Sequence, residues 1–255
     1  MTLEIILYLF IFLYGITIGS FLNVCIYRIP KDETVVTEGS HCMSCNHKLA
    51  WYDLFPLFSW ILLKGKCRYC GEKISAQYPL IELINGVAYC GIIALGGFNA
   101  DSIMLCLVFS TLLVIAVIDY RTMLIPTAAN LIILAIGVVH LFFHLDNWQY
   151  YVIGLFFSGG FLFAIAMLFR GITGKSGLGL GDIELMACAG LFCGWGHGLF
   201  AIIIGSVSGA IIEGVRIAIT HEKGKFPFGP YLAAGLMISL LWGVDILEWY
   251  QTTIL

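Results

Sequence analysis

Long apolar runs dominate this chain and set what it can fold into. Eight runs cover about 3–27, 80–97, 102–119, 127–144, 150–169, 183–195, 197–219 and 230–247. Roughly 20 helical residues cross a hydrocarbon core of about 30 Å. Charged residues make up only 11% of the 255 residues, whereas soluble domains average about a quarter. We therefore expect an all-α polytopic membrane protein with about eight transmembrane helices.

The basic residues predict how these segments are oriented. All 13 lysines and arginines lie after odd-numbered segments: Arg28, Lys31, Lys48, Lys64, Lys66, Arg68 and Lys73, then Arg121, then Arg170 and Lys175, then Arg216, Lys223 and Lys225. Cytosolic loops carry the excess of Lys and Arg, so we expect these connections in the cytosol and both termini outside. The same rule divides 183–219 into two spans. The first segment lacks a basic n-region and is expected to be retained.

One polar stretch, 28–79, is long enough to form a small cytosolic insert between a first transmembrane helix, 1–27, and a membrane bundle, 80–255. It contains Cys42-x-x-Cys45 and Cys67-x-x-Cys70. Two such pairs at this spacing are typical of tetrahedral zinc sites. Two disulfides are the alternative, which a reducing cytosol disfavours. We expect a structural zinc site, since four thiolates leave no coordination position open. The sequence shows no basic, aromatic surface for nucleic acid.

Two aspartates mark the ends of apolar segments on the predicted cytosolic face. Asp119 ends the third segment, and Asp182 follows the glycine-rich stretch 177–181. Considered alone, Asp182 is a common helix N-cap and Asp119 a loop partner for Arg121. Considered together, two ionisable groups at membrane depth favour a functional site. One carboxylate can activate water while the other protonates a leaving group. The sequence therefore predicts a catalytic dyad.

Short motifs in a fixed order cover nearly the whole chain. They are Gly19-Ser20-Phe21-Leu22-Asn23-Val24 through Arg28, the paired Cys-x-x-Cys insert with Pro56, Ser59-Trp60 and Gly65-Lys66-Cys67, Tyr78-Pro79-Leu80-Ile81-Glu82, the Asp119 motif ending in Ile125-Pro126, Gly179-Leu180-Gly181-Asp182, and Pro227-Phe228-Gly229-Pro230. In this order they resemble the type IV prepilin leader peptidases, bifunctional bacterial membrane enzymes with a GxGD-type aspartyl site. One departure is Glu184, where many relatives carry lysine.

The resemblance implies a function and a location. The substrate would be a prepilin or pseudopilin whose short basic leader ends in glycine, cleaved after that glycine at the cytosolic face. Asp119 and Asp182 match the family's catalytic aspartates. Many members also methylate the new N-terminus with S-adenosylmethionine, an activity associated with the insert and its neighbouring helix. The chain would lie among lipids in the bacterial inner membrane and bind no nucleic acid.

Some assignments stay open at this stage. Glu82 could position the substrate's new amine for methyl transfer, or it could serve the dipole of the helix that begins near Pro79. Glu213 is explained by an i,i+3 pair with Arg216. A proton- or metal-coupled transporter that uses the aspartates as relay groups is an alternative function. A scaffold protein is a third, although it leaves two acids at matching depth unexplained.

Overall fold

The computed structural model describes residues 2–36, 39–174, 177–221, 224 and 226–253, and these form helices with no strand. The helices are α1 (Thr2–Arg28), α2 (Phe58–Leu62), α3 (Gln77–Gly96), α4 (Ala100–Thr122), α5 (Thr127–Phe143), α6 (Trp148–Thr173), α7 (Leu180–Thr220) and α8 (Gly229–Thr253). Short 3₁₀ turns occupy Ile29–Lys31, Trp51–Leu54 and Leu145–Asn147. Lys175, Lys223 and Lys225, which the orientation argument used, lie outside the described residues.

Six of these helices are long and apolar enough to cross a membrane, and α5 is a shorter apolar helix. Helix α7 is 41 residues long and is broken at Gly194, where φ is 77° and ψ is 171°. A β-carbon at Gly194 would overlap the Tyr150 ring. The break divides α7 into two apolar segments, so the described residues contain eight apolar helical segments. The expected all-α polytopic fold is confirmed, with the break two residues before the predicted boundary at 196.

The chain divides into two compact units, residues 1–110 and 111–255, with the division inside α4. In the first unit, α1 and α3 pack closely where glycines remove side-chain bulk. A β-carbon on Gly15 would lie 2.8 Å from the Cα of Gly86. Asn85 Nδ2 donates to the Gly15 carbonyl at 2.8 Å across the same contact. Small residues of this kind let membrane helices approach each other.

The second unit packs α5, α6 and α8 around α7. Gly154 of α6 and Gly190 of α7 touch backbone to backbone, so that a β-carbon on either would overlap the other's carbonyl oxygen. Further along α6, a β-carbon on Gly159 would lie 2.7 Å from the Cβ of Ala187. These close glycine contacts fix α6 against the first half of α7, which carries Asp182 at its start.

Candidate active site and metal centre

Asp119 lies in the last turn of α4 and is buried, with 5% of its surface exposed. Its Oδ2 accepts a hydrogen bond from the backbone N–H of Gly229, the first residue of α8, at 2.8 Å. Helix N-termini leave such N–H groups without intrahelical partners and favour anions. A β-carbon at Gly229 would lie 2.8 Å from the same oxygen, so glycine is the residue that permits this approach.

Asp182 lies in the first turn of α7 and is also buried, at 8% exposure. The alternative of an N-cap role does not apply, since Gly179 occupies the cap position. Asp182 instead reaches back and accepts a hydrogen bond from the Gly179 backbone. Its Oδ1 has no hydrogen-bond partner among the described residues. One oxygen therefore fixes the carboxyl group, and the other is available for chemistry.

The two aspartates converge within the second unit. Gly181, just before Asp182, packs against Ile125 of the connection after α4, and a β-carbon there would lie 2.8 Å from the Ile125 Cβ. The charge of Asp119 acts on the Asp182 carboxyl. The loop chemistry explains the approach, because glycine at 181 leaves room for the isoleucine. The structure thus brings together the two acids that the sequence singled out.

The entry into α8 is anchored by a second polar cluster. Glu213 of α7 pairs with Arg216 at 2.5 Å, as the i,i+3 spacing predicts. Its other oxygen accepts a hydrogen bond from the Tyr231 hydroxyl at 2.8 Å. Tyr231 lies two residues after Gly229, and its ring lies against Gly209, where a β-carbon would be 3.3 Å away. The sequence analysis missed Tyr231, which fixes the helix start whose N–H binds Asp119.

The four cysteines of the insert form a candidate metal centre. The Sγ atoms of Cys42, Cys45, Cys67 and Cys70 all lie within 4.8 Å of one another, and the four are free thiols rather than disulfides. The two pairs have the same local fold. Cys42 N–H donates to the His47 carbonyl at 3.0 Å, and Cys67 N–H donates to the Glu72 carbonyl at 2.8 Å. Four thiolates on two such turns suit one tetrahedral metal ion.

A salt bridge supports the second cysteine pair. Arg68, between Cys67 and Cys70, donates through Nε to Asp53 Oδ1 at 2.7 Å, and the Tyr69 hydroxyl donates to Asp53 Oδ2 at 3.0 Å. Burial alone would raise the pKa of Asp53, but the hydrogen bonds from Arg68 and Tyr69 outweigh it and lower that pKa. Asp53 therefore stays ionised and holds the second cysteine pair against the 3₁₀ turn Trp51–Leu54.

Comparisons with known proteins find matches over most of the chain. The model for the bacterial peptidase A24 N-terminal domain matches residues 13–95, and that for the type IV leader peptidase family matches residues 106–213. The prepilin leader peptidase/N-methyltransferase of Aeromonas salmonicida (strain A449) is 34% identical over an alignment that covers 96% of this chain and 94% of the relative. The chain belongs to the type IV leader peptidase family.

Other relatives extend this similarity to different bacteria. The proteins of the same name from Xanthomonas campestris pv. campestris and Pseudomonas aeruginosa (strain PAO1) are each 32% identical, over 92% and 93% of this chain and 91% of their own length. No solved structure matches the chain. Membership makes the chain an enzyme of a peptidase family, and its apolar helices make it an integral membrane protein. None of these three relatives is named as a transporter.

Glu82 links three parts of the first unit. Helix α3 begins at Gln77 and has no acidic residue in its first turn, so the helix-dipole explanation is wrong. The carboxylate is buried, at 6% exposure, and its Oε2 accepts a hydrogen bond from the Leu57 N–H at 2.7 Å. The Ser20 hydroxyl of α1 also bonds to it. Glu82 thus joins α1, α3 and the insert.

The backbone at Leu57 explains why a carboxylate is needed there. Leu57 has φ 61° and ψ −52°, and Phe58 N–H donates to the Pro56 carbonyl at 2.6 Å. These values describe a γ-turn of the rare, strained type. The turn directs the Leu57 N–H at Glu82. Sequence spacing could not have paired residues 57 and 82, because the contact depends on a turn that leucine seldom adopts.

Proposed function

We propose that this chain removes the leader from type IV prepilins or pseudopilins by hydrolysing the bond after a glycine, with Asp119 and Asp182 as the catalytic pair. The observation that carries the proposal is the convergence of two buried carboxyls, of which Asp119 is held by the start of α8 while Asp182 keeps one unpartnered oxygen. We place this site and the insert on the cytosolic face of the inner membrane, with both termini outside, as the basic residues favour.

The chemistry follows from two acids that share one proton. The ionised carboxylate removes a proton from water, and the resulting hydroxide attacks the carbonyl carbon of that glycine. The protonated carboxyl then donates its proton to the departing nitrogen as the C–N bond breaks. One water is consumed, and the products are a leader with a carboxyl terminus and a mature protein with a free amine. Close carboxyls suit this exchange because repulsion prevents both from ionising at once.

We further propose that the four insert cysteines hold a structural zinc ion. Zinc would supply a cross-link between the two cysteine turns and no catalytic position, since four thiolates complete its tetrahedron. The insert needs such a link, because Cys67 is the only buried hydrophobic residue among those described between 29 and 76.

The relatives' names also include N-methyltransferase, and we propose the same second activity here. S-adenosylmethionine would supply a methyl group to the new amine. The Glu82 carboxylate engages Leu57 and Ser20 in this structure. We propose that Glu82 positions the insert against α1 and α3. The family resemblance associates this region with methyl transfer.

The first prediction is that Asp119→Asn and Asp182→Asn each reduce leader cleavage by about a thousandfold or more, because neither amide can exchange the proton. Co-expression with a candidate prepilin, followed by intact mass measurement, would detect the leader. The matched control is Asp146→Asn, an exposed aspartate between α5 and α6, which should cleave normally. Cleavage that survives in both dyad variants would exclude this mechanism. An added mass of about 14 Da on the mature product would report methylation.

A further inference from the structure

Asn130 of α5 is buried, with 1% of its surface exposed, yet neither its Nδ2 nor its Oδ1 has a hydrogen-bond partner among the described residues. Two other buried asparagines do have hydrogen-bond partners. Asn23 Nδ2 donates to the Tyr78 carbonyl at 3.1 Å, and Asn85 uses both amide atoms, on Gly15 and Ser110. Buried polar groups are almost always bonded. Asn130 therefore needs an explanation that the folded chain alone does not provide.

The packing of α5 places Asn130 beside the catalytic end of α7. A β-carbon on Gly137 would lie 3.2 Å from the Phe192 backbone nitrogen, and Ile125 contacts Gly181 at the other end of the same pair. The two helices thus run in the same direction. Asn130 is seven residues, or two turns, before Gly137, and shares its α7-facing side.

The same register gives the depth of Asn130 relative to Asp182. At a rise of about 1.5 Å per residue, Asn130 lies about 5 Å further along the α5–α7 pair than Asp182. Measured along the helix axes, the unpartnered Asn130 amide therefore lies within about one turn of Asp182, whose Oδ1 also has no partner among the described residues. The second unit thus has one donor and two acceptors without partners among the described residues, on neighbouring turns of α5 and α7.

We propose that Asn130 binds the backbone of the substrate beside the scissile bond, with Nδ2 donating to a peptide carbonyl and Oδ1 accepting from a peptide N–H. This inference rests on the proposed function. A substrate that enters as an apolar helix must unwind where it is cut, which exposes backbone groups that lipid cannot satisfy. An amide side chain carries one donor face and one acceptor oxygen in a plane, as a peptide group does.

The test compares two asparagine-to-leucine substitutions in the full-length enzyme. Asn130→Leu keeps the branched arrangement of four heavy atoms and removes the polar atoms, so cleavage should fall about ten- to a hundredfold, mainly through KM. Thermal stability should hold or rise, because no protein hydrogen bond is lost. Asn85→Leu, the matched control, should lower the melting temperature. Asn130→Ser, which keeps a donor and an acceptor, should recover part of the activity.

Binding separates this inference from the proposed function. In an Asp182→Asn background, a prepilin peptide with an intact glycine junction should bind, and adding Asn130→Leu should weaken that binding about tenfold or more. Unchanged cleavage and binding in Asn130→Leu would overturn the inference while leaving the dyad intact. A fall in both melting temperature and activity, as for a packing residue, would overturn it as well. A dyad variant that still cleaves would instead overturn the proposed function.

Discussion

Single atoms at Gly229 decide how the Asp119 carboxylate is held. The glycine N–H provides the hydrogen bond at 2.8 Å, and the absent side chain provides the space. Sequence inspection identified Asp119 and Asp182 because acids are rare at membrane depth. It could not identify the partner of either carboxylate, because backbone groups leave no signature in the sequence. The Gly229 motif was noticed only through its resemblance to a family.

A second prediction concerns Gly229 itself. Gly229→Ala would put a methyl group against the Asp119 carboxylate and displace it, so cleavage should fall by at least tenfold. The fold should survive, since only one side chain at a helix start has to move. Steady-state cleavage and a melting curve measure the two effects. Gly214→Ala is the matched control, because nothing lies within 4 Å of a β-carbon there. Full activity in Gly229→Ala would mean that this contact is unimportant.

Tyr231 carries a third prediction at the same scale. Tyr231→Phe removes the hydroxyl that bonds to Glu213 and should cost about 0.5–1.5 kcal/mol of stability. Cleavage should also fall several-fold, because the start of α8 loses an anchor. Tyr120→Phe provides the control, since Tyr120 adjoins Asp119 but is 73% exposed. If the two phenylalanine variants behave alike in both measurements, the anchor has no role.

At the scale of helices, close contacts at glycines determine which helices pack against each other. The apolar runs predicted where helices form, and the charge distribution predicted that 183–219 is two segments. The sequence could not show that Gly154 and Gly190 meet, because glycines along membrane helices look alike until their neighbours are known. Gly160, only six residues from Gly154, faces open space.

These two glycines provide the fourth prediction. Gly154→Ala should destabilise the second unit by about 1–3 kcal/mol, because the β-carbon overlaps the backbone of α7. Gly160→Ala should instead stabilise α6 by about 0.5–1 kcal/mol through helix propensity. Melting temperatures of the two variants in the same detergent test the contrast. Equal shifts in the same direction would show that α6 and α7 do not meet at Gly154.

At the scale of the whole molecule, the chain combines long apolar helices with an insert that has almost no core. A fifth prediction follows, that chelating the metal unfolds the insert while the helices persist. Limited proteolysis should then cut within 39–76, with little change in helical circular dichroism. In a Cys45→Ser variant, protease should cut the insert equally readily without chelator. The control variant Cys188→Ser, altered in α7, should resemble the wild type. Resistance of the insert after complete metal removal would contradict a structural metal.

Acidification should act on the insert in the same sense. The pKa of Asp53 is lowered in the folded state, so its contribution to stability is present above the ordinary carboxylate range and is lost as the pH falls below it. The salt bridge between Asp53 and Arg68 is therefore expected to weaken in acid, which a pH titration of the protease resistance of the insert would measure.

The hydrogen bond between Asp119 and Gly229 joins residues 110 positions apart. A ribosome delivers Asp119 long before it delivers the start of α8, so a partly synthesised chain carries both acids without the group that orients one of them. Proteolytic competence would then arise only when α8 enters the bilayer. Biogenesis itself would protect neighbouring nascent proteins from a half-built hydrolase.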